Sequence, residues 1–547
     1  MTRSALQIAR AAYQPKLPKA LKGFVKVSEG EKTQSVADQK DIEALFEHTY
    51  GMPIIKFTET DEKIDYPAMN VGVILSGGQA PGGHNVISGI FDGIKNINAD
   101  SKLYGFILGP GGLVDHNYVE LTAEIIDEYR NTGGFDIIGS GRDKLETEEQ
   151  FEKGYEIIKE LDIKAIVMIG GDDSNTNACV LAEYYAKKEY GVQVVGCPKT
   201  IDGDLKNQMI EASFGFDTAC KVYSEVIGNI QRDCNSAQKY WHFIKLMGRS
   251  ASHIALECAL QVQPNVCIIS EEVEKKNMSL DDVVTYIADI VARRAENGDN
   301  FGTVLIPEGL IEFIPAMKNL IAELNDFLAK DTTYATLEEE DQRDYVIKNI
   351  SAENSKVYAS LPHGVARQLT LDRDPHGNVQ VSLIETEKLL SEMVNDKLNE
   401  WKEEGKYNGT FSRQHHFFGY EGRCAAPSNF DADYCYALGV TASALIANGK
   451  TGYMSSVRNT TAPAAEWIAG GIPITMMMNM ERRHGEMKPV IQKALVELDG
   501  APFKKFVSCR EDWAINTKYI YPGPIQYFGP TEVCDQPTKT LLLEQGK

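Results

Sequence analysis

The stretch KAIVMIGGDDSNT, Lys164 to Thr176, indicates the fold most clearly. Lys164 to Ile169, apolar from Ala165 onwards, has the pattern of a buried strand, Gly170 and Gly171 form a turn, and a helical pattern runs from Ala178 to Lys188. A strand that passes through a glycine turn into a helix points backbone N–H groups at an anion. We therefore predict an α/β fold with doubly wound sheets.

Two further loops repeat this arrangement. The strand Val71 to Leu75 leads into SGGQAPGGHN at 76–85, and the apolar run Val192 to Val195 leads into GCPKTIDGD at 196–204. Loops at the carboxyl ends of neighbouring parallel strands meet at one edge of a sheet. Three glycine-rich loops there predict a site that handles phosphate groups.

The third loop places two carboxylates two residues apart. Residues i and i+2 of an extended backbone project to the same side, so we predict that Asp202 and Asp204 address one reaction centre. Gly203 lets a substrate approach the backbone closely, and Lys199 adds a positive charge. In the neighbouring loop, Asp172 is a candidate ligand for magnesium, which favours hard oxygen ligands. These residues suit the deprotonation of a hydroxyl beside a metal-bound phosphate.

Composition limits the class of protein. A chain of 547 residues is too long for one core, so two or more lobes are expected. No apolar run approaches 18 residues, which argues against a membrane span, and the formal charge of −22 argues against nucleic acid as a partner. Ten cysteines without CxxC spacing predict reduced thiols and a cytoplasmic location.

Seven motifs together resemble the phosphofructokinase family, and within it the long, pyrophosphate-dependent type. In family order they are GGQAPGGHN at 77–85, GSGR at 139–142, GGDDSNT at 170–176, PKTIDGD at 198–204, MGR at 247–249, PEG at 307–309 and GYEGR at 419–423. Each motif alone is weak evidence, but seven in order are specific. The resemblance spans roughly residues 71 to 430, and the flanking regions are also similar to long-type members.

The resemblance implies two Rossmann-like, doubly wound lobes with a helical insertion and an N-terminal extension. The expected parts are an extension at 1–70, a pyrophosphate- and Mg²⁺-binding lobe at 71–215 plus about 422–490, a fructose 6-phosphate-binding lobe at 216–421 with its insertion at about 312–400, and a C-terminal segment at 491–547. Residues 1–28 contain six Lys or Arg and no Asp or Glu. We interpret this basic stretch as a helical arm that packs on the body or on a neighbouring subunit, in preference to a transit peptide.

The resemblance also implies catalytic roles. Asp202 is the expected general base for the 1-hydroxyl of fructose 6-phosphate, and Asp172 and Asp204 are expected to position Mg²⁺. Arg249 and Arg142 are expected to balance the charge of the transferring phosphoryl group. The alternatives are a turn aspartate at 202 and a solvated surface ion pair at 142.

Donor choice depends on two positions at which ATP-using relatives carry glycine. Asp173 would intrude on the space and charge of a nucleotide, and Lys199 would supply a point charge to compact pyrophosphate. The alternative for Asp173 is a favourable charge at a helix N-terminus, worth ~0.3–1 kcal/mol. The expected pyrophosphate ligands are Gly78, Asp173, Ser174, Lys199 and Thr200.

The sugar phosphate is expected to contact a second set of residues: Thr200, Asp202, Tyr240, Met247, Gly248, Arg249, Glu308, Tyr420 and Arg423. Arg423 suits the 6-phosphate, Glu308 the sugar hydroxyls and Met247 the sugar face. Tyr420 and Tyr240 stand where bacterial ATP-using relatives have a histidine and an arginine.

The expected reaction is reversible, Mg²⁺-dependent transfer of a phosphoryl group from pyrophosphate to fructose 6-phosphate. Two alternatives stay open at the level of sequence: an ATP-dependent phosphofructokinase, and a non-catalytic regulatory subunit on the same fold. The resemblance further implies a homodimer or higher homo-oligomer, and the charge and composition predict neither nucleic acid nor membrane as a partner.

Overall fold

The chain folds as two compact units. The computed structural model describes residues 3–371, 379, 383–483 and 486–524. Within these residues, the first unit takes the chain up to Ala219 together with Tyr420–Ala494, and the second takes Cys220–Gly419 with Leu495–Gly523. Each unit is described by itself below.

A large mixed sheet is the centre of the first unit. Its strands are β1 Val25–Lys32, β2 Pro53–Glu59, β3 Asn70–Leu75, β4 Leu103–Phe106, β5 Tyr118–Glu120, β6 Ile163–Gly170, β7 Gln193–Thr200, β8 Phe214–Gly215, β13 Tyr453–Arg458 and β14 Ile468–Pro473. Their order is β1-β2-β14-β13-β7-β6-β3-β4-β5, with β8 paired to β7. The neighbours from β13 to β4 are parallel, whereas β1, β2, β14 and β5 pair antiparallel. A hairpin, β15 Met478–Arg483 with β16 Glu486–Ile491, lies outside this sheet.

The central strands are apolar on both faces, as strands of a parallel sheet covered by helices must be. In β6, every residue from Ala165 to Ile169 is fully buried. The helices of this unit are α1 Ala5–Ala11, α2 Gln39–Leu45, α3 Gly83–Ile97, α4 Pro110–Val114, α5 Ala123–Tyr129, α6 Glu148–Glu160, α7 Asp172–Lys187, α18 Tyr420–Arg423 and α19 Asn429–Ala447. Helices α3 and α19 pack closely because Gly89 and Gly439 have no Cβ. A Cβ at either position would clash with the backbone of the facing helix.

The basic N-terminal stretch packs on the first unit. Ser4 caps α1 through a capping box with Gln7, since each side chain accepts the other's backbone N–H. The Tyr13 hydroxyl and the Lys16 N–H both donate to Asp433 of α19, at 2.9 and 2.8 Å. Strands β1 and β2 follow within the segment that the sequence marks as an extension, and they form one edge of the large sheet.

The second unit contains a parallel sheet of order β10-β11-β9-β12. Its strands are β9 Tyr240–Leu246, β10 Val266–Cys267, β11 Phe301–Pro307 and β12 Arg413–Phe418. Helix α8 Phe216–Ala237 leads into this unit, and its other helices are α9 His253–Val262, α10 Ser270–Lys275, α11 Leu280–Glu296, α12 Leu310–Phe313, α13 Pro315–Lys330, α14 Glu339–Asn349, α15 Ala352–Ser360, α16 His363–Gln368, α17 Thr386–Glu403 and α20 Ala501–Ile515.

Helices α13 to α17 lie between β11 and β12 in the chain, and they share a core with the sheet. Phe243 of β9 and Val304 of β11 belong to the same buried cluster as Leu320 of α13 and Leu390 of α17. The helical segment is therefore packed into its unit rather than attached loosely to it. No helix within the described ranges is long and apolar enough to cross a membrane.

Candidate active site

The aspartates of the third glycine loop lie beyond the end of β7, which corrects part of the sequence prediction. Strand β7 ends at Thr200, and Gly203 turns the chain with a φ of +75°. The backbone at 202–204 is thus not extended, so the i, i+2 argument does not apply to it. The Asp202 N–H donates to the Thr200 hydroxyl at 3.0 Å, and the Ser213 hydroxyl donates to the Thr200 carbonyl at 3.0 Å.

The turn nevertheless brings the two carboxylates close enough to interact. Burial raises the pKa of Asp204 to about 7, and the charges of Asp202 and Asp172 raise it as well, while Lys493 opposes them. The side chain of Asp204 is only 8% exposed, so solvent screens these charges weakly. Three acidic residues from two loops therefore share one site.

Lys199 is a buried cation at the end of β7. Its Nζ donates to the Gly78 carbonyl at 2.7 Å. Burial lowers the pKa of Lys199 to about 8. The carboxylates of Asp202 and Asp172 raise this pKa, whereas the guanidinium groups of Arg423 and Arg142 lower it further. The structure thus places around Lys199 most of the charged residues that the sequence assigned to the phosphate site.

The first glycine loop is tied to the GSGR segment. The Gly77 N–H donates to the Gly141 carbonyl at 2.8 Å, and the Ser140 hydroxyl donates to the Gly77 carbonyl at 3.1 Å. Gly77 has a φ of +82°, and a Cβ there would lie 3.3 Å from Lys199 Nζ. Glycine is needed at this position for both its conformation and its lack of a side chain. These bonds present Arg142, whose side chain is exposed, on the same loop cluster.

Helix α7 begins at Asp172, six residues before the start that the helical pattern indicates. Gly171 occupies the N-cap, and the first turn carries Asp172 and Asp173. Ser174 is buried, and its hydroxyl donates to the Ser76 hydroxyl at 2.8 Å, which joins two of the glycine loops. The Asp173 side chain is 48% exposed, and its Oδ1 forms an ion pair with Lys144 Nζ at 3.1 Å.

Arg423 and Tyr420 lie on α18 of the same unit. The guanidinium carbon of Arg423 lies 4.9 Å from the centre of the Tyr420 ring, a distance at which a cation and an aromatic ring attract each other. A Cβ added to Gly78 would lie 3.6 Å from Arg423 Nη1, so the glycine loop and Arg423 are neighbours. Tyr420 is 56% exposed.

The remaining predicted ligands belong to the second unit. Glu308 is buried, and its Oε2 accepts the Gly248 N–H at 2.8 Å, while its own N–H donates to the Leu246 carbonyl at 2.9 Å. The Met247 N–H donates to the Phe418 carbonyl at 2.9 Å. The MGR turn after β9 is therefore held by the PEG motif after β11. Arg249 is exposed at this turn, and Tyr240 lies at the opposite, amino end of β9 with a φ of +76°.

Comparisons with known proteins identify the family of this chain. A model of the phosphofructokinase family matches residues 70–446. The chain belongs to the phosphofructokinase family. It is 66% identical over 547 residues, all of both chains, to the pyrophosphate–fructose 6-phosphate 1-phosphotransferase of Porphyromonas gingivalis, and 56% identical over 550 residues, again all of both chains, to that of Entamoeba histolytica.

The phosphofructokinase fold expected from the sequence is confirmed. A pyrophosphate-dependent phosphofructokinase from Marinobacter aquaeolei has a similar structure, with a TM-score of 0.53 at 15% identity. The similarity covers 84% of this chain and 95% of the other. At this identity the likeness concerns the fold alone.

Two lysines that contact predicted site residues of this phosphofructokinase were missed at the level of sequence. Lys144 follows the GSGR motif by two residues, so its position beside a phosphate loop was a usable signal. Lys493 lies far along the chain after the β15–β16 hairpin, yet its Nζ is 3.6 Å from Asp172 and 4.0 Å from Asp204. No sequence pattern marks it, because tertiary packing alone brings that segment to the site.

The acidic residues fit the Mg²⁺ that phosphofructokinases are expected to use. Among the described residues, no group of three or more His, Cys, Asp or Glu side chains is arranged to hold a metal ion by itself. Mg²⁺ commonly binds through one or two carboxylates and keeps waters and substrate phosphates as its other ligands. Asp172 and Asp204 lie 3.6 and 4.0 Å from one lysine nitrogen, so two carboxylates are present to make up that smaller number.

His84, in the first turn of α3, is expected to make the stability of the fold depend on pH. Its Nδ1 lies 2.8 Å from the Thr132 hydroxyl, and burial lowers its pKa to about 3. Asp136 lies 3.6 Å from Nε2 but is 57% exposed, so solvent screens its charge and burial dominates. Between pH 6.5 and 3, His84 binds a proton in the unfolded chain but not in the folded chain. The free energy of unfolding therefore decreases as pH falls, by up to ~1.4 kcal/mol per pH unit.

We expect the unfolding temperature to decrease below pH 6.5, and the slope to become shallower in His84→Gln. Thermal unfolding followed by circular dichroism across this pH range measures both slopes. The comparison uses slopes rather than absolute temperatures, since the substitution itself changes packing. An equal slope in wild type and variant would show that His84 is not the group responsible.

Proposed function

We propose that this protein catalyses reversible phosphoryl transfer from pyrophosphate to the 1-hydroxyl of fructose 6-phosphate. The products are fructose 1,6-bisphosphate and phosphate. The observation that carries the proposal is the cluster around Lys199, in which a buried ammonium contacts the glycine loop and interacts with carboxylates and guanidinium groups. Such a cluster suits a small, highly charged donor beside an acidic proton acceptor.

In this reaction Asp202 accepts the proton of the 1-hydroxyl. The sugar oxygen forms a bond to one phosphorus of pyrophosphate, and the bond from that phosphorus to the bridging oxygen breaks, which releases phosphate. Protein catalysis of phosphoryl transfer consists mainly of positioning and charge stabilisation. Lys199 and Arg142 would supply positive charge to the donor, with Gly78, Ser174 and Thr200 lining its site.

Magnesium would be held by Asp172 and Asp204, and when bound it neutralises charge on the phosphate oxygens. We expect removal of Mg²⁺ with EDTA to lower turnover by at least about 100-fold, because the donor's charge is then uncompensated. A coupled assay of fructose 1,6-bisphosphate formation measures this loss. Restoration by added Mg²⁺ is required, and turnover that persists in EDTA would contradict the metal assignment.

Donor preference for pyrophosphate over ATP is proposed to depend on Asp173. Its carboxylate at the start of α7 is held by Lys144, which gives it a defined place beside the glycine loops. A negative charge there disfavours a nucleotide, whose additional phosphate and ribose need that space. The high identity to relatives named for pyrophosphate use supports the same donor.

The sugar phosphate is proposed to use Arg423 with Tyr420 for its 6-phosphate, together with Met247, Gly248, Arg249 and Glu308. Tyr240, at the opposite end of β9, is proposed to contribute to the site of a neighbouring subunit. Support comes from the MGR turn, which carries the exposed Arg249. Buried Glu308 of the neighbouring PEG loop accepts a hydrogen bond from Gly248 of this turn. We further propose a homodimer or higher homo-oligomer in the cytoplasm. Light scattering of the purified protein tests the assembly state.

The deciding experiment is formation of fructose 1,6-bisphosphate by the purified chain with Mg²⁺, fructose 6-phosphate and either pyrophosphate or ATP. Turnover with pyrophosphate alone is the expected result. Turnover with ATP alone would overturn the donor assignment but keep the reaction class. Failure with both donors would favour a regulatory subunit that requires a catalytic partner.

A further inference from the structure

The ammonium group of Lys493 lies beside two carboxylates of the candidate active site. Its Nζ is 3.6 Å from Asp172 Oδ2 and 4.0 Å from Asp204 Oδ2. Both carboxylates are shielded from solvent, with side chains 21% and 8% exposed. Asp202 adds a third negative charge that acts on Asp204. Like charges in a poorly solvated site repel strongly, so a neutralising cation stabilises the site.

The main chain around Lys493 is fixed to both loops that carry these carboxylates. The Ala494 N–H donates to the Asp204 carbonyl at 2.7 Å, which joins the segment to the TIDGD turn. The Ile491 N–H donates to the Thr176 hydroxyl at 3.2 Å, which joins it to the first turns of α7. The backbone that carries Lys493 is therefore hydrogen-bonded both to the TIDGD turn, which contains Asp204, and to helix α7, which contains Asp172.

The distances from Lys493 to Asp172 and Asp204 are longer than those of a tight ion pair. In the same unit, Arg130 donates to Asp92 at 2.8 Å, within the range of strong charge-assisted hydrogen bonds. At 3.6 and 4.0 Å the ammonium balances charge without being locked to either carboxylate. The long, flexible lysine stem allows such a group to move away when a more highly charged cation arrives.

We propose that Lys493 is a displaceable counter-ion, a positioning residue that neutralises Asp172 and Asp204 in the ligand-free protein and yields that place to Mg²⁺. This inference rests on the proposed function only in assigning the metal to those two carboxylates. A consequence is that the free protein binds bare divalent metal weakly. Metal then enters most favourably together with pyrophosphate, whose negative charge also receives the displaced ammonium.

The test measures binding of Mn²⁺, which takes the same oxygen ligands as Mg²⁺, to protein without pyrophosphate. Lys493→Met removes the charge and retains much of the side-chain length. We expect it to bind Mn²⁺ about tenfold more tightly than wild type, because a competing cation near the carboxylates is lost. Lys493→Arg keeps the charge and is expected to stay near the wild-type affinity.

Two controls support the comparison. Lys40→Met removes one positive charge from an exposed position on α2 of the same unit, and it is expected to leave Mn²⁺ affinity unchanged. Circular dichroism and thermal unfolding establish that each variant is folded. If Lys493→Met does not fold, Lys493→Gln removes the same charge and carries the same expectation.

Unchanged or weaker Mn²⁺ binding in the charge-removing variant would overturn the proposal. A selective increase in the KM for pyrophosphate, with Mn²⁺ affinity unchanged, would instead make Lys493 a ligand of the donor. The binding measurement needs no turnover. Absence of pyrophosphate-dependent activity in wild type would therefore reject the proposed function without deciding the role of Lys493.

Discussion

Asp202→Ser is expected to lower kcat for pyrophosphate-dependent phosphorylation by about 10³-fold, because general-base catalysis commonly contributes 10²- to 10⁴-fold. The loop should survive the change. The hydrogen bond that holds the turn runs from the Asp202 main-chain N–H to the Thr200 hydroxyl, so it does not depend on the carboxylate. Steady-state kinetics with saturating fructose 6-phosphate and pyrophosphate measures the loss.

Substrate binding should change little in this variant, since the carboxylate is needed mainly when the proton leaves the hydroxyl. Calorimetric titration with fructose 6-phosphate checks this expectation, and Asp202→Asn provides a matched variant of nearly the same size. A near-normal kcat in either variant would remove Asp202 from the role of base. It would also favour the interpretation of this residue as a simple turn aspartate.

The second large effect is expected at the donor site. Lys199→Gly should lower kcat/KM for pyrophosphate by about 100-fold, because a preorganised cation is lost from a water-poor site. Asp173→Gly should raise kcat/KM for ATP by about tenfold, since a half-exposed carboxylate no longer repels the nucleotide. Coupled assays with each donor measure both changes in the single variants and in the double variant.

Asp173→Asn separates charge from volume in this experiment. If repulsion of charge excludes ATP, the asparagine variant should behave like the glycine variant. If space matters more, only glycine should admit the nucleotide. Unchanged pyrophosphate use in Lys199→Gly, together with unchanged ATP exclusion in Asp173→Gly, would contradict the donor argument as a whole.

The sequence by itself determined the fold class and the family, and it predicted most residues of the proposed phosphate site. The short apolar run Ala165 to Ile169, followed directly by two glycines, favours a strand buried on both faces, and glycine loops that follow such strands meet at one sheet edge. Local pattern therefore sufficed to place Asp172 near Asp202 and Lys199 near the first glycine loop. These inferences depend on short stretches of chain, in which spacing and residue type constrain geometry directly.

Only the tertiary structure decided how the carboxylates meet and which distant residues join them. Asp202 and Asp204 approach each other through the turn at Gly203, because β7 has already ended at Thr200. Lys493 reaches Asp204 and Asp172 from a segment roughly three hundred residues further along the chain. No local pattern encodes such a contact, since it depends on how a hairpin and its following segment pack against α7 and the TIDGD turn.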